Sequence, residues 1–323
     1  MGIISRRKFI SEICASTMVL QVDVAHSDAR SIDRNLSVFV SDMHVGMPGF
    51  KTRWGEQPAY QNVLFAKTVD EILSLNPRPA RVIVFGDIAL WFGFEKDYEL
   101  SRPIVKRLTD VGIDVVLTTG NHDHREPMSR IYPEQFAKSP VPGRYVSVVD
   151  LGLADLILLD SLDENKDGEG SQNNGNGVID EKQRDWLWTE SARRKRPFFV
   201  GAHQHPAEIK GENIVHALSG IDDFCGFIHG HNHVWSKTWI RPRGGNRLRR
   251  IVGLPSTGWW GDIGFALMRT ESDRAVLTLK QNDFFCRRPL GSRQCRPQDW
   301  DAIVMENQGQ TATFFFCEKG NCA

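Results

Sequence analysis

This sequence predicts an α/β fold in which two sheets are flanked by helices, and three observations lead there. Five short runs rich in β-branched and aromatic residues, at 36–40, 81–85, 114–119, 197–200 and 224–228, each break off into a turn of glycine or small polar residues. Between the earlier runs lie stretches with the apolar spacing of helices, at 60–75, 98–110 and 179–194, the last opened by Asp180 as an N-cap. Further strand-like runs follow at 144–149, 156–159, 248–254, 264–268 and 275–279, more than one sheet of ordinary width would hold. No internal repeat interrupts this order.

At 323 residues the chain is long enough for one large or two small domains. Hydrophobic residues make up 41% and charged residues 25%, an ordinary balance for a folded chain with a full core. Lys plus Arg equals Asp plus Glu at 40 each, so no general electrostatic attraction to nucleic acid or an anionic membrane is built in. Near the start, Ser5-Arg6-Arg7-Lys8-Phe9-Ile10 pairs arginines ahead of a phenylalanine, and an uncharged, fairly apolar run follows at 13–22. This looks like a twin-arginine export signal, and the run is too short for a membrane span, which takes about 20 apolar residues. The expectation is an export segment over residues 1–30 and an exported or periplasmic protein. A basic tail on a cytoplasmic protein is the alternative, and Glu12 and Asp23 at the edges of the run speak for it.

The ends of the five main runs carry the chemistry. They present Asp42 and His44; Gly86-Asp87; Gly120-Asn121-His122-Asp123-His124; His203-Gln204-His205; and Gly230-His231-Asn232-His233. Each alone is an ordinary capped turn. As a set they hold seven of the ten histidines in the chain, and the carboxyl ends of strands are where open α/β sheets bind ligands. Carboxylates and neutral imidazoles suit Mn, Fe or Zn, and the scarcity of thiolates disfavours softer ions.

Two stretches stand apart. Residues 163–177 must form a loop, and Asp163-x-Asn165-x-Asp167-Gly168 matches the opening of a calcium-binding EF-hand loop. Its twelfth position is Asn174 where a bidentate Glu is required, so calcium is the weaker reading. Arg241, Arg243, Arg247, Arg249 and Arg250 surround Gly244-Gly245 and read as a solvated hairpin, with a phosphate-steering patch as the alternative. Cys225 lies in a buried-looking strand. Cys286, Cys295, Cys317 and Cys322 crowd the C-terminal tail, where three pairings are open and oxidation would staple a segment without a clear amphipathic pattern. No C-x-x-C pair favours zinc there.

The series Asp42-x-His44, Gly86-Asp87, Gly120-Asn121-His122-Asp123, His203 and Gly230-His231-x-His233 resembles the calcineurin-like metallophosphoesterases in order and in spacing, over residues 36–269. The resemblance implies a four-layer αββα sandwich of two mixed sheets flanked by helices. The expected organisation is a catalytic domain over 35–280 with 281–323 as a cysteine-containing tail packed on it. It also implies two di- or trivalent metal ions, Mn, Fe or Zn. Asp42, His44, Asp87 and His233 would hold one, and Asp87, Asn121, His203 and His231 the other. Such a pair, typically ~3.5–4 Å apart, lowers the pKa of a bridging water and clamps both oxygens of an in-line displacement, so a bridging hydroxide is the expected nucleophile. His122 is the candidate to protonate the departing alkoxide, with Asp123 orienting it. His124 and His205 are candidate contacts to the substrate phosphate, against a purely structural role.

Departures from family subtypes narrow the substrate. Leu90 and Trp91 stand where protein Ser/Thr phosphatases carry Asp-Arg and purple acid phosphatases a metal-binding Tyr. The look is closer to the cyclic-nucleotide and glycerophosphodiester branch, although that branch often has an acid near Leu90. A small phosphodiester is therefore favoured over a monoester, without closing the choice. Trp91, Phe92, Phe94, Trp259 and Trp260 follow motif strands and read as packing anchors or as an apolar wall for a base, lipid or aryl group. A nuclease on the same scaffold is disfavoured by the neutral charge, and a non-catalytic metal-binding protein by the complete ligand set. The sequence carries no signal of oligomeric state.

Overall fold

The structure is a computed structural model that describes residues 30–52, 55–57, 60–241, 247–285 and 300–316. The chain runs β1 (Ile32–Val40), β2 (Phe50–Thr52), β3 (Gly55–Gln57), α1 (Tyr60–Ser74), β4 (Arg78–Phe85), α2 (Glu95–Thr109), β5 (Asp114–Thr118), α3 (Arg125–Ile131), α4 (Pro133–Lys138), β6 (Ser147–Asp150), β7 (Asp155–Leu158) and β8 (Gly177–Val178). It continues through α5 (Glu181–Arg193), β9 (Phe198–Ala202), β10 (Ile209–Lys210), α6 (Ile214–Ala217), β11 (Phe224–His229), β12 (Ser236–Ile240), β13 (Arg249–Gly253), β14 (Gly261–Thr270), β15 (Arg274–Phe285), α7 (Trp300–Asn307) and β16 (Thr311–Phe315). Two six-stranded sheets form, in the orders β16-β15-β14-β1-β4-β5 and β12-β13-β11-β9-β7-β6. Strands β1, β4 and β5 run parallel in the first, and β7, β9, β11 and β13 run parallel in the second; both sheets gain antiparallel edges.

Side-chain alternation produces the layering. On β1, Val38 and Val40 face a helix-side core with Phe65 and Val69 of α1 and Leu108 of α2. Phe39 faces the other way, into a core shared with Phe199 and Ile228 of the second sheet. Val82 and Val84 against Ile83 and Phe85 repeat the division on β4. A third apolar layer, with Val200, Phe227 and Leu187 of α5, covers the outer face of the second sheet. Strands buried on both faces must be apolar throughout, which is why their runs are continuous rather than alternating. Three apolar layers separate four structural ones, the expected αββα sandwich.

The tail departs from the expected boundary. Strand β15 passes residue 280 without a break, and β16 pairs antiparallel with it. Ala312 and Phe314 of β16 enter the core between the sheets, so part of the expected appendage is a sheet edge. The tail cysteines and the expected export segment lie outside the described residues. Among the described residues, no helix is long and apolar enough to cross a membrane.

The loop over 163–177 is stitched to the protein by its polar side chains. Asp163 Oδ2 pairs with Lys210 Nζ and accepts from Asn174 Nδ2 at 2.9 Å, and Asn165 Oδ1 accepts from the Asp167 N–H at 3.2 Å. These groups serve internal partners, against the calcium reading. The basic stretch links β12 to β13, which pair antiparallel, with residues 242–246 outside the described residues; its described part is not simply solvated, since Arg249 is buried beside the Phe224 ring and Arg250 lies 4.1 Å over Trp239.

Candidate metal centre

Three strand ends of the first sheet and two of the second meet at one place. The loops after β1 and β4 run on together beyond the sheet, with Asp42 N–H donating to Gly86 O at 3.1 Å and His44 N–H to Asp87 O at 3.0 Å. The two sheets are then tied across the site. His203 Nδ1–H donates to Phe85 O at 2.6 Å, and His231 N–H donates to Asp42 Oδ2 at 3.1 Å. Glycine permits this approach: a Cβ on Gly120 would lie 2.2 Å from Asp87 Oδ1, and one on Gly230 would lie 1.8 Å from Ser41 Oγ.

The fold aims acceptors at one another. A carbonyl only accepts, so His44 Nδ1, bonded to Leu90 O at 3.1 Å, and His233 Nδ1, bonded to Trp260 O at 3.0 Å, each carry the ring proton. Their bare Nε2 atoms then face each other at 3.1 Å. The bond from His203 Nδ1–H to Phe85 O likewise turns its Nε2 into the site, 3.2 Å from both Asn121 Oδ1 and Asp87 Oδ2. Asp42 Oδ1 is buried without a hydrogen-bond donor, 3.0 Å from His233 Nε2. Lone pairs converging in a buried site repel unless a cation or proton lies between them. This donor set fits metal ions.

Protonation follows the same logic. Burial, with the neighbouring His233, pushes His44 down to about 3, and burial with His203 pushes His231 down to about 4. Both stay neutral, as ligands must. Burial opposes charge on His203 too, yet the Asp87 carboxylate beside it pushes it up to about 9, so a proton stands in for a cation there. Burial likewise works against charge on Asp42 and Asp87, but the surrounding imidazoles hold both carboxyls well below the usual range.

Ligand atoms of Asp42, His44 and His233 form one compact group, and those of Asp87, His203 and His231 a second. A third group, His44, Asp87 and His122, overlaps the first two, with Asp87 Oδ2 3.9 Å from both His44 Nε2 and His122 Nε2. Backbone strain marks the same residues. Asp42, His44, Asp87, His231 and His233 have φ between 47° and 66°, and among the described residues no other non-glycine adopts a positive φ. Each such conformation costs roughly 1–2 kcal/mol, and strain of this kind collects where function fixes a side chain's aim.

The remaining candidates separate. His122 is partly exposed; its Nδ1–H donates to Trp91 O at 3.0 Å, and its backbone N–H donates to Asp87 Oδ1 at 2.8 Å. Asp123 does not orient it. The Asp123 carboxylate accepts instead from the N–H groups of Ile88, Ala89 and Gly120 at 2.8–3.2 Å and from Tyr98 Oη at 3.2 Å, knotting the β4 and β5 loops. The ring of His124 is buried, with Nδ1 on Glu164 Oε1 and Nε2 on Ser171 O, both at 3.1 Å, which leaves no nitrogen for a substrate. It pins the 163–177 loop. His205 lies edge-on to His229, rings 4.9 Å apart, and is a member of neither ligand group. Sequence reasoning passed over the carbonyls of Leu90, Trp91 and Trp260, which set three ring orientations; main-chain acceptors leave no trace in residue type.

Comparison with known proteins agrees with this geometry. The family model described as calcineurin-like phosphoesterase matches residues 37–235. Among solved structures, a dimetal phosphatase from Danio rerio superposes with a TM-score of 0.56 at 15% identity, covering 76% of this chain and 96% of that one. A structure of PhoD gives 0.49 at 9% identity, covering 81% and 72%. At such identities the likeness is one of fold. No curated protein matches the sequence.

Proposed function

The chain belongs to the calcineurin-like phosphoesterase family, which supports metal-dependent phosphoester hydrolysis, and on that premise we propose that it is a phosphodiesterase with a two-metal site. One observation carries the choice of ester. Among the described residues, every ion-pair partner of Asp42 and Asp87 is an imidazole, and the nearby Arg125 is engaged by Asp160 and Glu164. With no fixed guanidinium or ammonium paired at the site, the protein itself offers little complement to the second charge of a monoester, and a singly charged diester is the better match.

Asp42, His44, Asp87 and His233 would hold one metal and Asp87, Asn121, His203 and His231 the other. Bound there, the ions supply positive charge to the phosphoryl oxygens and acidify water. The chain's own groups do the rest. The Nδ1–H bond to Trp91 O fixes the His122 ring so that Nε2 faces the Asp87 side of the site, and a proton held on Nε2 is delivered to the departing alkoxide. The buried His44 and the partly buried His231 stay neutral and fixed in aim.

The test is protein stripped of metal and reloaded with Mn, Fe or Zn, assayed on bis-(4-nitrophenyl) phosphate beside 4-nitrophenyl phosphate, with metal content measured. Metal-dependent turnover favouring the diester is expected. A monoester preference overturns the diesterase reading, and no turnover at two bound metals overturns hydrolysis.

A further inference from the structure

The aromatic side chains around the centre fall into groups with different tasks. Trp260 serves a ligand: its carbonyl accepts from His233 Nδ1–H, and its ring stacks on that imidazole at 4.1 Å and 20°. Phe92 and Phe94 lie toward the 163–177 loop, where Phe92 O accepts from Gly170 N–H at 3.0 Å and a Cβ on Gly170 would meet Phe94 Cε1 at 3.1 Å. Trp91 gives its carbonyl to His122, and its ring forms a corner with that of Trp259, which stands edge-on to His44. The two indoles meet nearly at right angles, centroids 5.2 Å apart and planes at 77°, and both are partly exposed.

This corner stands directly against the reacting groups. The Trp91 ring is 4.9 Å from His122, and the Trp259 ring is 4.8 Å from the buried His44 and 6.3 Å from His122. Indoles left partly open beside a polar, charge-binding site cost hydration free energy that a flat apolar group recovers. A planar ring laid on one indole meets the edge of the other, the offset and edge-to-face contacts that aromatic rings prefer. His122 marks the leaving-group side, so the ring in question belongs to the leaving group or is attached to it.

We propose that Trp91 and Trp259 bind a planar aromatic group on the leaving side of the substrate, so that the substrate class is a phosphoester of an aryl-bearing alcohol or of a nucleoside. This rests on the hydrolase reading above and adds what selects the substrate. An aryl group and a nucleobase share the chemistry of a flat π face, which distinguishes them from a glycerol or lipid chain.

Paired substrates with matched leaving groups isolate the effect: benzyl methyl phosphate against cyclohexylmethyl methyl phosphate, and adenosine 5′-methylphosphate against ribose 5-methylphosphate. The corresponding monoesters are used if that is the class turned over. Both aromatic members are expected to show a KM lower by roughly 10-fold, the scale of one stacked ring. Trp91→Leu, which keeps apolar bulk and loses the plane, should bring the pairs together, and Trp91→Phe should restore part of the gap. If only the adenosine pair separates, the ring is a nucleobase; if only the benzyl pair does, it is a simple aryl group. Equal KM within both pairs in the wild-type enzyme overturns the proposal. A wild-type gap that Trp91→Leu and Trp259→Leu both leave intact also overturns it. Calorimetry with benzylphosphonate and cyclohexylmethylphosphonate gives the same comparison without turnover. Absence of any turnover at full metal loading is a different failure, that of the hydrolase reading itself.

Discussion

Asp42 and Asp160 are buried to the same degree, and the fold treats them in opposite ways. Asp160 is saturated. Its oxygens accept from Arg125 Nε and Nη2 at 2.8 and 2.7 Å, from Thr119 Oγ1 at 2.6 Å and from the Tyr145 and Leu162 N–H groups. Burial would raise its pKa, but Arg125 holds it below the usual range. Asp42 spends one oxygen on Ser41 Oγ and the His231 N–H and leaves the other aimed at bare ring nitrogens. A buried polar cluster built for stability closes on itself, whereas one built to receive a cation is left open.

Mutation can break that contrast from either side. Arg125→Ala strands the Asp160 charge and should cost about 3–5 kcal/mol of folding free energy by urea denaturation. Asp42→Asn in metal-free protein should cost less, because the amide oxygen can still accept from Ser41 Oγ and the His231 N–H, and what is lost is the attraction of the imidazoles that holds the carboxyl below the usual range. The melting-temperature rise on adding Mn or Zn should shrink or vanish with it. Equal destabilisation by both variants would dissolve the distinction.

His122→Ala should lower turnover by roughly 10²–10³-fold while metal content stays near wild type. Loss of metal along with activity would instead make His122 a ligand, as the compact His44, Asp87 and His122 group allows. Glu164→Gln weakens the hold on His124 and Arg125 and should cost about 1–2 kcal/mol, with faster proteolysis within the 163–177 loop as its local sign.

The smallest effect concerns Asp97, whose carboxyl is pushed up to about 7, by burial first and by the nearby Asp123 among the other causes. A raised carboxyl keeps its proton in the folded chain while the unfolded chain loses it near 4, so stability drains as pH rises from about 4 to 7. Asp97→Asn should therefore raise the melting temperature at pH 7.5 by a few degrees and change it little at pH 4. An equal shift at both would contradict the assignment.

Residue type and spacing made much of this legible. Runs apolar throughout identified strands buried on both faces, and Asp180 before its helix was readable as a cap because its carboxylate accepts from Gln183 N–H three residues on. The short α3 and α4, of seven and six residues, give too few turns for a periodic signal. Strand β16 carries an ordinary alternation that names no partner, so its place in the first sheet was not readable.

The sequence by itself determined which side chains stand at the ends of the five motif strands, because a strand's alternation and its terminating turn are local properties. Tertiary structure alone decided what each of them does. Asp123 and His122 are adjacent in the chain, yet one knots two loops and the other faces the open site. His124, two residues on, is locked by a glutamate forty residues away. Those roles depend on which backbone groups and side chains other segments bring alongside, and on five residues being forced to positive φ, a cost that only the assembled site imposes.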